Sequence, residues 1–279
     1  MYKDYQNQVS LRGFSKLTDT PRWRLRYYLA RASKRQAREK KLTEEQEWVQ
    51  ELALKHKTYG YRRIYQEANK LIQMGREKVR QHMKTLDLQR ALPKKKRKAS
   101  PEVSRVCDLP EGRKLQIDAT RFQLKGEIGW KYLVEDVSSR TCLALHTVKR
   151  LSQEAASSAL VMAQTKLEKL GITEPLIIQS DGGSDFTSQF FQDTCTSLNA
   201  SWHRSKVSEK GGMAILERLN RTLKYDFVFW HEPESLEDLA KLDQEFEHWY
   251  NHERIHSSID YLTPWQKLSQ DATLSSSLG

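Results

Sequence analysis

Leu176-Ile177-Ile178-Gln179-Ser180-Asp181-Gly182-Gly183 reads as a short strand that delivers an acid at its end. Apolar residues run into Asp181, and Gly182-Gly183 then permits a tight turn. A second short strand starts at Leu115 and ends at Asp118. Alternation along it turns Asp118 to the face opposite Leu115 and Ile117. Downstream, Ala214 to Lys224 carries a helical pattern. Leu216, Leu219, Leu223 and Phe227 share one face. Glu217, Arg221 and Lys224, at i, i+4 and i+7, share another. Singly, each acid reads more readily as a solvated surface group, and Asp136, Asp185, Glu209 and Asp226 compete for the same role. Jointly, Asp118, Asp181 and Glu217 offer the carboxylate oxygens that hard cations prefer.

The charge is unevenly placed. Residues 1–100 hold 27 Lys and Arg against 10 Asp and Glu, and residues 101–279 hold 20 against 26. A basic half attracts polyanions, and the other half carries the acids. That division suits a nucleic-acid enzyme. No apolar run approaches the ~20 residues that span a bilayer, so no membrane role is expected. Met1-Tyr2-Lys3-Asp4 lacks the apolar stretch of a signal peptide. Cys107, Cys142 and Cys195 are scattered, without zinc-ligand spacing, and read as reduced thiols.

The first 92 residues read as a helical, basic DNA-binding region. Trp23 to Lys41 predicts a helix with interleaved bases and aromatics. Thr43-Glu44-Glu45-Gln46 predicts the start of another, with Trp48, Leu52 and His56 as its buried stripe. A helix after Gly60 buries Ile64, Ala68 and Leu71. A turn near Gly75 leads to one that buries Val79, Met83 and Leu86 and shows Arg76, Arg80 and Lys84 outward. Two helices around a short glycine-bearing turn, the second one basic, form a helix-turn-helix-like pattern. Residues 93–112 form a basic linker. Its run Lys94-Lys95-Lys96-Arg97-Lys98 reads as a DNA-backbone arm with salt-dependent affinity.

Residues 113–270 read as the acidic domain, with 271–279 as a tail. After the strand at Leu115, strands are predicted over 130–137 and 141–148. A helix follows over 152–170, with Gly171 as its stop. Then come the strand ending at Asp181, a helix over 187–198, a strand over 201–204, and a helix over 235–251. Residues 205–212 read as a loop beside the site. The fold class is α/β, a ribonuclease-H-like mixed sheet of five strands flanked by helices, preceded by a small all-α helix-turn-helix-like domain.

Three stretches carry a family resemblance. Asp118, Asp181 and Glu217, with 35 residues between the last two, resemble the Asp-Asp-Glu triad of the retroviral-integrase and transposase superfamily. Tyr59-Gly60-Tyr61-Arg62-Arg63-Ile64 resembles the segment ahead of the integrase core in bacterial insertion-sequence transposases. Tyr250-Asn251-His252-Glu253-Arg254-Ile255-His256, followed by Tyr261-Leu262-Thr263-Pro264, resembles the ending of those cores.

The resemblance implies a DNA transposase like the catalytic frame of two-frame insertion sequences. On that reading Asp118, Asp181 and Glu217 are the catalytic metal ligands, holding two Mg²⁺ (or Mn²⁺) ions per site. Arg221 and Lys224 hold DNA phosphate, Arg62, Arg63, Arg76, Arg80 and Lys84 bind DNA from the helical region, and Arg254 and His256 contact substrate or support the site. Partners are double-stranded DNA (element ends and target), further copies of the chain on paired ends, and a companion frame product. The expected location is the bacterial cytoplasm, on the nucleoid. Two readings compete: a ribonuclease-H-like nuclease without strand transfer, and a DNA-binding regulator with an inactive core. One departure has structural content. Gly212-Met213-Ala214 replaces the family's Asp-Asn-Ala, so an acid that would cap the helix of Glu217 is absent.

Overall fold

Arg22 to Lys55 contain neither glycine nor proline. In the computed structural model, which describes residues 9–88, 112–205 and 212–277, they form one helix of 34 residues, α2. A short α1 (Leu11–Leu17) precedes it, capped by Ser10. The predicted helix start at Thr43 is corrected. Its hydroxyl donates to the Glu39 carbonyl at 3.1 Å inside the continuing helix. The ion pairs Arg35–Glu39 and Lys40–Glu44 hold the turns ahead of and across that point. The buried stripe is Val49 and Leu52, while Trp48 is 41% exposed.

Gly60 starts α3 (Tyr61–Leu71), and Gly75 starts α4 (Arg76–Thr85). Ile64, Ala68, Val79 and Met83 are buried, whereas Leu71 ends its helix exposed. Glu45 of α2 is tied to α4 through Lys78 at 2.5 Å. Arg76, Arg80 and Lys84 stay exposed, Arg80 paired with Glu77. The chain divides into two compact units, Met1–Pro93 and Lys94–Gly279.

The second unit is built on β1 (Arg113–Gln123), β2 (Ile128–Asp136), β3 (Cys142–Val148), β4 (Leu176–Ser180) and β5 (Ala200–Arg204). They lie in the order β3-β2-β1-β4-β5. The first three form an antiparallel meander, and β4 and β5 run parallel to β1. This is the five-stranded ribonuclease-H-like sheet that the sequence predicts. The strand at Leu115 does not end at Asp118. It runs on to Gln123, because 119–123 pair with 128–132 of β2.

Helix α5 (Gln153–Lys169) covers one face. Ala155, Ala159, Ala163 and Leu167 pack on Leu115, Ile117 and Ile178. It ends where Gly171 takes φ +74° and Ile172 bonds back to the Leu167 carbonyl, as a left-handed glycine stop requires. Helix α6 (Gln189–Ser197) adds Phe191 and Cys195 to this core.

The other face carries α7 (Ala214–Thr222) and α8 (Leu236–His248). Leu216, Leu219, Leu223 and Phe227 pack there against Leu133, Leu145, Leu239 and Phe246. Each of these two helices runs into a wider π-helical segment, Leu223–Val228 and Trp249–Glu253. The predicted helix over 235–251 thus changes hydrogen-bonding pattern at Trp249. α9 (Pro264–Ser277) ends the described chain. Lys94, Lys95, Lys96, Arg97 and Lys98, Cys107, Glu209 and most of the 205–212 loop lie outside the described residues.

Candidate active site

Parallel pairing sets the level of the two aspartates. Gln116 of β1 stands opposite Gln179 of β4. Asp118 and Asp181 each follow two residues later, at the point where β4 stops and β1 loses that neighbour. Adjacent strands are ~4.8 Å apart, so the two acids emerge side by side. α7 packs against β1 and β2 and presents Glu217 one residue after Leu216, whose N–H donates to the buried Gln116 Oε1 at 3.1 Å.

Asp118 is the half-buried member. Its Oδ1 accepts from the Ala119 N–H at 2.8 Å, and its Oδ2 accepts from Asn220 Nδ2 at 2.9 Å. Burial raises its carboxyl from 3.8 to about 6, and the charges of Asp181 and Glu217 push the same way against those two bonds.

A carboxyl raised on folding contributes stability below its unfolded pKa and loses it as pH rises through the folded value. The metal-free protein should therefore lose about 2 kcal/mol from this group between pH 4 and 7. Asp118→Asn should remove that slope. In EDTA at pH 7.5 it should be about 1–2 kcal/mol more stable than the parent, one weakened hydrogen bond offsetting part of the gain. Urea unfolding at pH 4.5 and 7.5 measures both, and equal slopes in the two proteins would disprove the claim.

Asp181 is exposed, and among the described residues its carboxylate bonds within its own turn, Oδ1 accepting from the Gly183 N–H at 2.9 Å. The two glycines serve close approach, not a left-handed backbone: neither has a positive φ. A Cβ on Gly183 would stand 2.6 Å from Asp185 Oδ1, and one on Gly182 would overlap the Arg204 guanidinium. Asp185 is held below by the Tyr132 hydroxyl, which donates to it at 2.6 Å.

Glu217 is exposed on α7, with Arg221 one turn further on. Lys224 follows, its ammonium 5.4 Å from the Phe122 ring centre. Burial lowers the Lys224 pKa, against the pull of the Asp118 charge. The acids thus form an electrostatic neighbourhood centred on Asp118. Among the described residues no three His, Cys, Asp or Glu side chains close into a single-ion cage. The donor set still suits divalent cations. It is all oxygen, two of the acids face solvent, and Asp118 sits protonation-prone beside two like charges. Asn220 adds a buried Oδ1 without a hydrogen-bond partner among the described residues.

The competing acids have other attachments. Asp136 pairs with Arg113 at 2.8 Å, and Asp226 with Arg254 at 2.9 Å. The tail stretch is a lock on the fold. Asn251 exchanges both amide bonds with the Cys142 backbone, at 2.9 and 2.8 Å, and the Tyr250 hydroxyl reaches Glu135 at 3.3 Å. His256 lies edge-on to Tyr250, while His248 and His252 stack on each other. In the helical unit Arg63 lies over the Tyr59 ring and Arg62 contacts the Tyr61 hydroxyl. Sequence reading passed over Gln116, Asn220 and Arg204. Gln116 shares the Asp118 face of β1, and Asn220 is one turn from Glu217, so both were findable by periodicity. Arg204 was not, since only the β4–β5 pairing brings it to Gly182.

Two family profiles, each described as an integrase core domain, match residues 110–209 and 199–264. Residues 110–264 belong to the integrase core family. A profile described as an HTH-like domain matches residues 38–97. A stretch of 93 residues is 30% identical to the transposase for insertion sequence element IS904 of Lactococcus lactis subsp. lactis (strain IL1403), and covers 32% of this chain. The match spans 36% of that relative's own length.

The integrase core is also similar to solved structures. The HTLV-2 integrase catalytic core domain in complex with magnesium aligns over 56% of this chain and 94% of that one, at 22% identity and a TM-score of 0.43. The simian T-cell lymphotropic virus intasome in complex with PP2A regulatory subunit B56 gamma aligns over 72% and 73%, at 21% identity and a TM-score of 0.47. No helix among the described residues is long and apolar enough to cross a membrane.

Proposed function

We propose that this chain is a transposase that cuts the ends of an insertion element and joins them to target DNA. One observation supports the reading: the charges of Asp181 and Glu217, both distant in sequence, bear on Asp118 of the central strand. Asp118, Asp181 and Glu217 would together hold two Mg²⁺ ions, with Mn²⁺ as substitute. Bound there, the cations would polarise the scissile phosphodiester and activate the attacking oxygen.

The protein's own part is positioning. The Ala119 and Gly183 N–H groups aim the two aspartates, and Asn220 fixes the second oxygen of Asp118. Arg221 and Lys224 follow Glu217 along the same helical run, placed to grip a phosphate beside the acids. Arg76, Arg80 and Lys84 form an exposed basic row on α4 for a DNA backbone or groove. The basic run 94–98 would add salt-dependent affinity. Further copies of this chain on paired ends, and a companion frame product, belong to the same reading.

Purified protein, duplexes carrying candidate element ends and Mg²⁺ test it. The expected result is nicked ends followed by joined strands. Cutting that never yields joined product, even from pre-cut 3′-hydroxyl ends, would identify a nuclease instead. Binding without either product would identify a DNA-binding regulator.

A further inference from the structure

Helix α7 begins without a side-chain cap of its own. Its N-cap is Met213, which makes no side-chain capping bond. A helix leaves its first N–H groups without intrahelical partners, and a polar side chain at the N-cap ordinarily meets the second or third of them. Here the third, Leu216 N–H, is met from another element: Gln116 Oε1 of β1 accepts it at 3.1 Å. The same carboxamide donates through Nε2 to the Gly212 carbonyl at 2.6 Å and to Gln179 Oε1 of β4 at 2.9 Å. Gln116 is fully buried and Gln179 nearly so.

The placement of these bonds matters more than their number. Gln116 is two residues before Asp118 on the same strand face. Gln179 is two residues before Asp181. Leu216 is one residue before Glu217. A single buried amide therefore touches all three elements that carry the acids, each within two residues of its acid. Any rotation or retreat of α7 that moved Glu217 from the aspartates would break a buried bond and leave its partner unsatisfied.

We propose that Gln116 is a positioning residue, a cap supplied from the sheet that fixes Glu217 in register with Asp118 and Asp181. The inference deepens the transposase reading and rests on those acids acting together. It gives Gln116 no contact with substrate.

Two measurements test it, neither requiring DNA. In the unaltered full-length protein, hydrogen exchange resolved to single amides should show Leu216 N–H at least tenfold slower than Ala214 and Ile215 N–H in the same first turn, the protection a buried acceptor gives. Equal rates would overturn the cap whatever any variant does. In Gln116→Leu, which keeps bulk but neither donates nor accepts, the Mg²⁺ concentration for half-maximal thermal stabilisation should rise about 10- to 100-fold, the usual cost of losing a partner that orients metal ligands. A merely structural Gln116 would lower the melting temperature in EDTA and leave that Mg²⁺ midpoint unmoved, which would overturn the proposal.

End cleavage then separates this inference from the one beneath it. Parent protein that cuts and joins no DNA end defeats the transposase reading, while the exchange and Mg²⁺ results still judge Gln116. Parent protein that joins ends, alongside a Gln116→Leu variant with the same Mg²⁺ dependence, defeats Gln116 alone.

Discussion

Asp181→Ala is expected to lower end cleavage and strand joining together by at least about a thousandfold, roughly 4 kcal/mol of barrier, while the protein stays folded and bound to DNA. The folded state uses little of this side chain. It is exposed, and among the described residues its carboxylate bonds to Gly183 in its own turn. Losing such a bond costs about 0.5–1.5 kcal/mol. On the proposed function, the chemistry would lose one of the three carboxylates that would hold the divalent cations. Glu217→Ala should match it, since that side chain is also exposed. Both reactions should fall in parallel if, as proposed, a single site serves them. The measurement is product formation in Mg²⁺, with DNA affinity and melting temperature as controls. Activity within tenfold of the parent, with DNA binding intact, would remove metal catalysis from these acids.

Period-two and period-3.6 patterns made most of the core legible. Alternation put Asp118 opposite Leu115 and Ile117, and the i, i+3, i+7 spacing from Leu216 to Leu223 marked the face of α7 that the sheet buries. What sequence did not show was where pairing continues. β1 reads as ending at Asp118 because the acid interrupts the apolar run, yet Phe122 and Leu124 are buried and β2 still pairs beyond it. The placement of Asp118 mid-strand, beside the end of β4, is a property of register and not of either segment alone. The long α2 was hidden for the converse reason. Thr43 followed by acids has the local chemistry of a helix start, but without glycine or proline nothing ends the helix already running. Gln116 was invisible as a cap because its partner lies on α7, about a hundred positions later in the chain.

Arg254→Ala should destabilise the integrase core by about 3–5 kcal/mol, the cost of stranding one member of a buried ion pair. The tail motif left two roles open for this arginine, substrate contact or support, and the structure favours support. Arg254 is 3% exposed, its Nη2 donates to Asp226 at 2.9 Å, and its guanidinium lies 5.0 Å from the Trp249 ring centre. Asp226 belongs to the π-helical segment that extends α7, and Trp249 to the one that extends α8. Phe227 packs on Trp249 and Phe246 across the same junction. The pair therefore ties the far end of the Glu217 helix to the helix that covers the sheet. Asp226→Leu should cost a similar amount, since it strands the arginine instead. The double variant Asp226→Leu with Arg254→Met should recover more than half of the loss, because apolar groups of similar volume replace a buried pair at little net cost. Urea unfolding of the four proteins supplies the cycle. Arg254→Ala within about 1 kcal/mol of the parent, with DNA binding lost instead, would return Arg254 to the substrate.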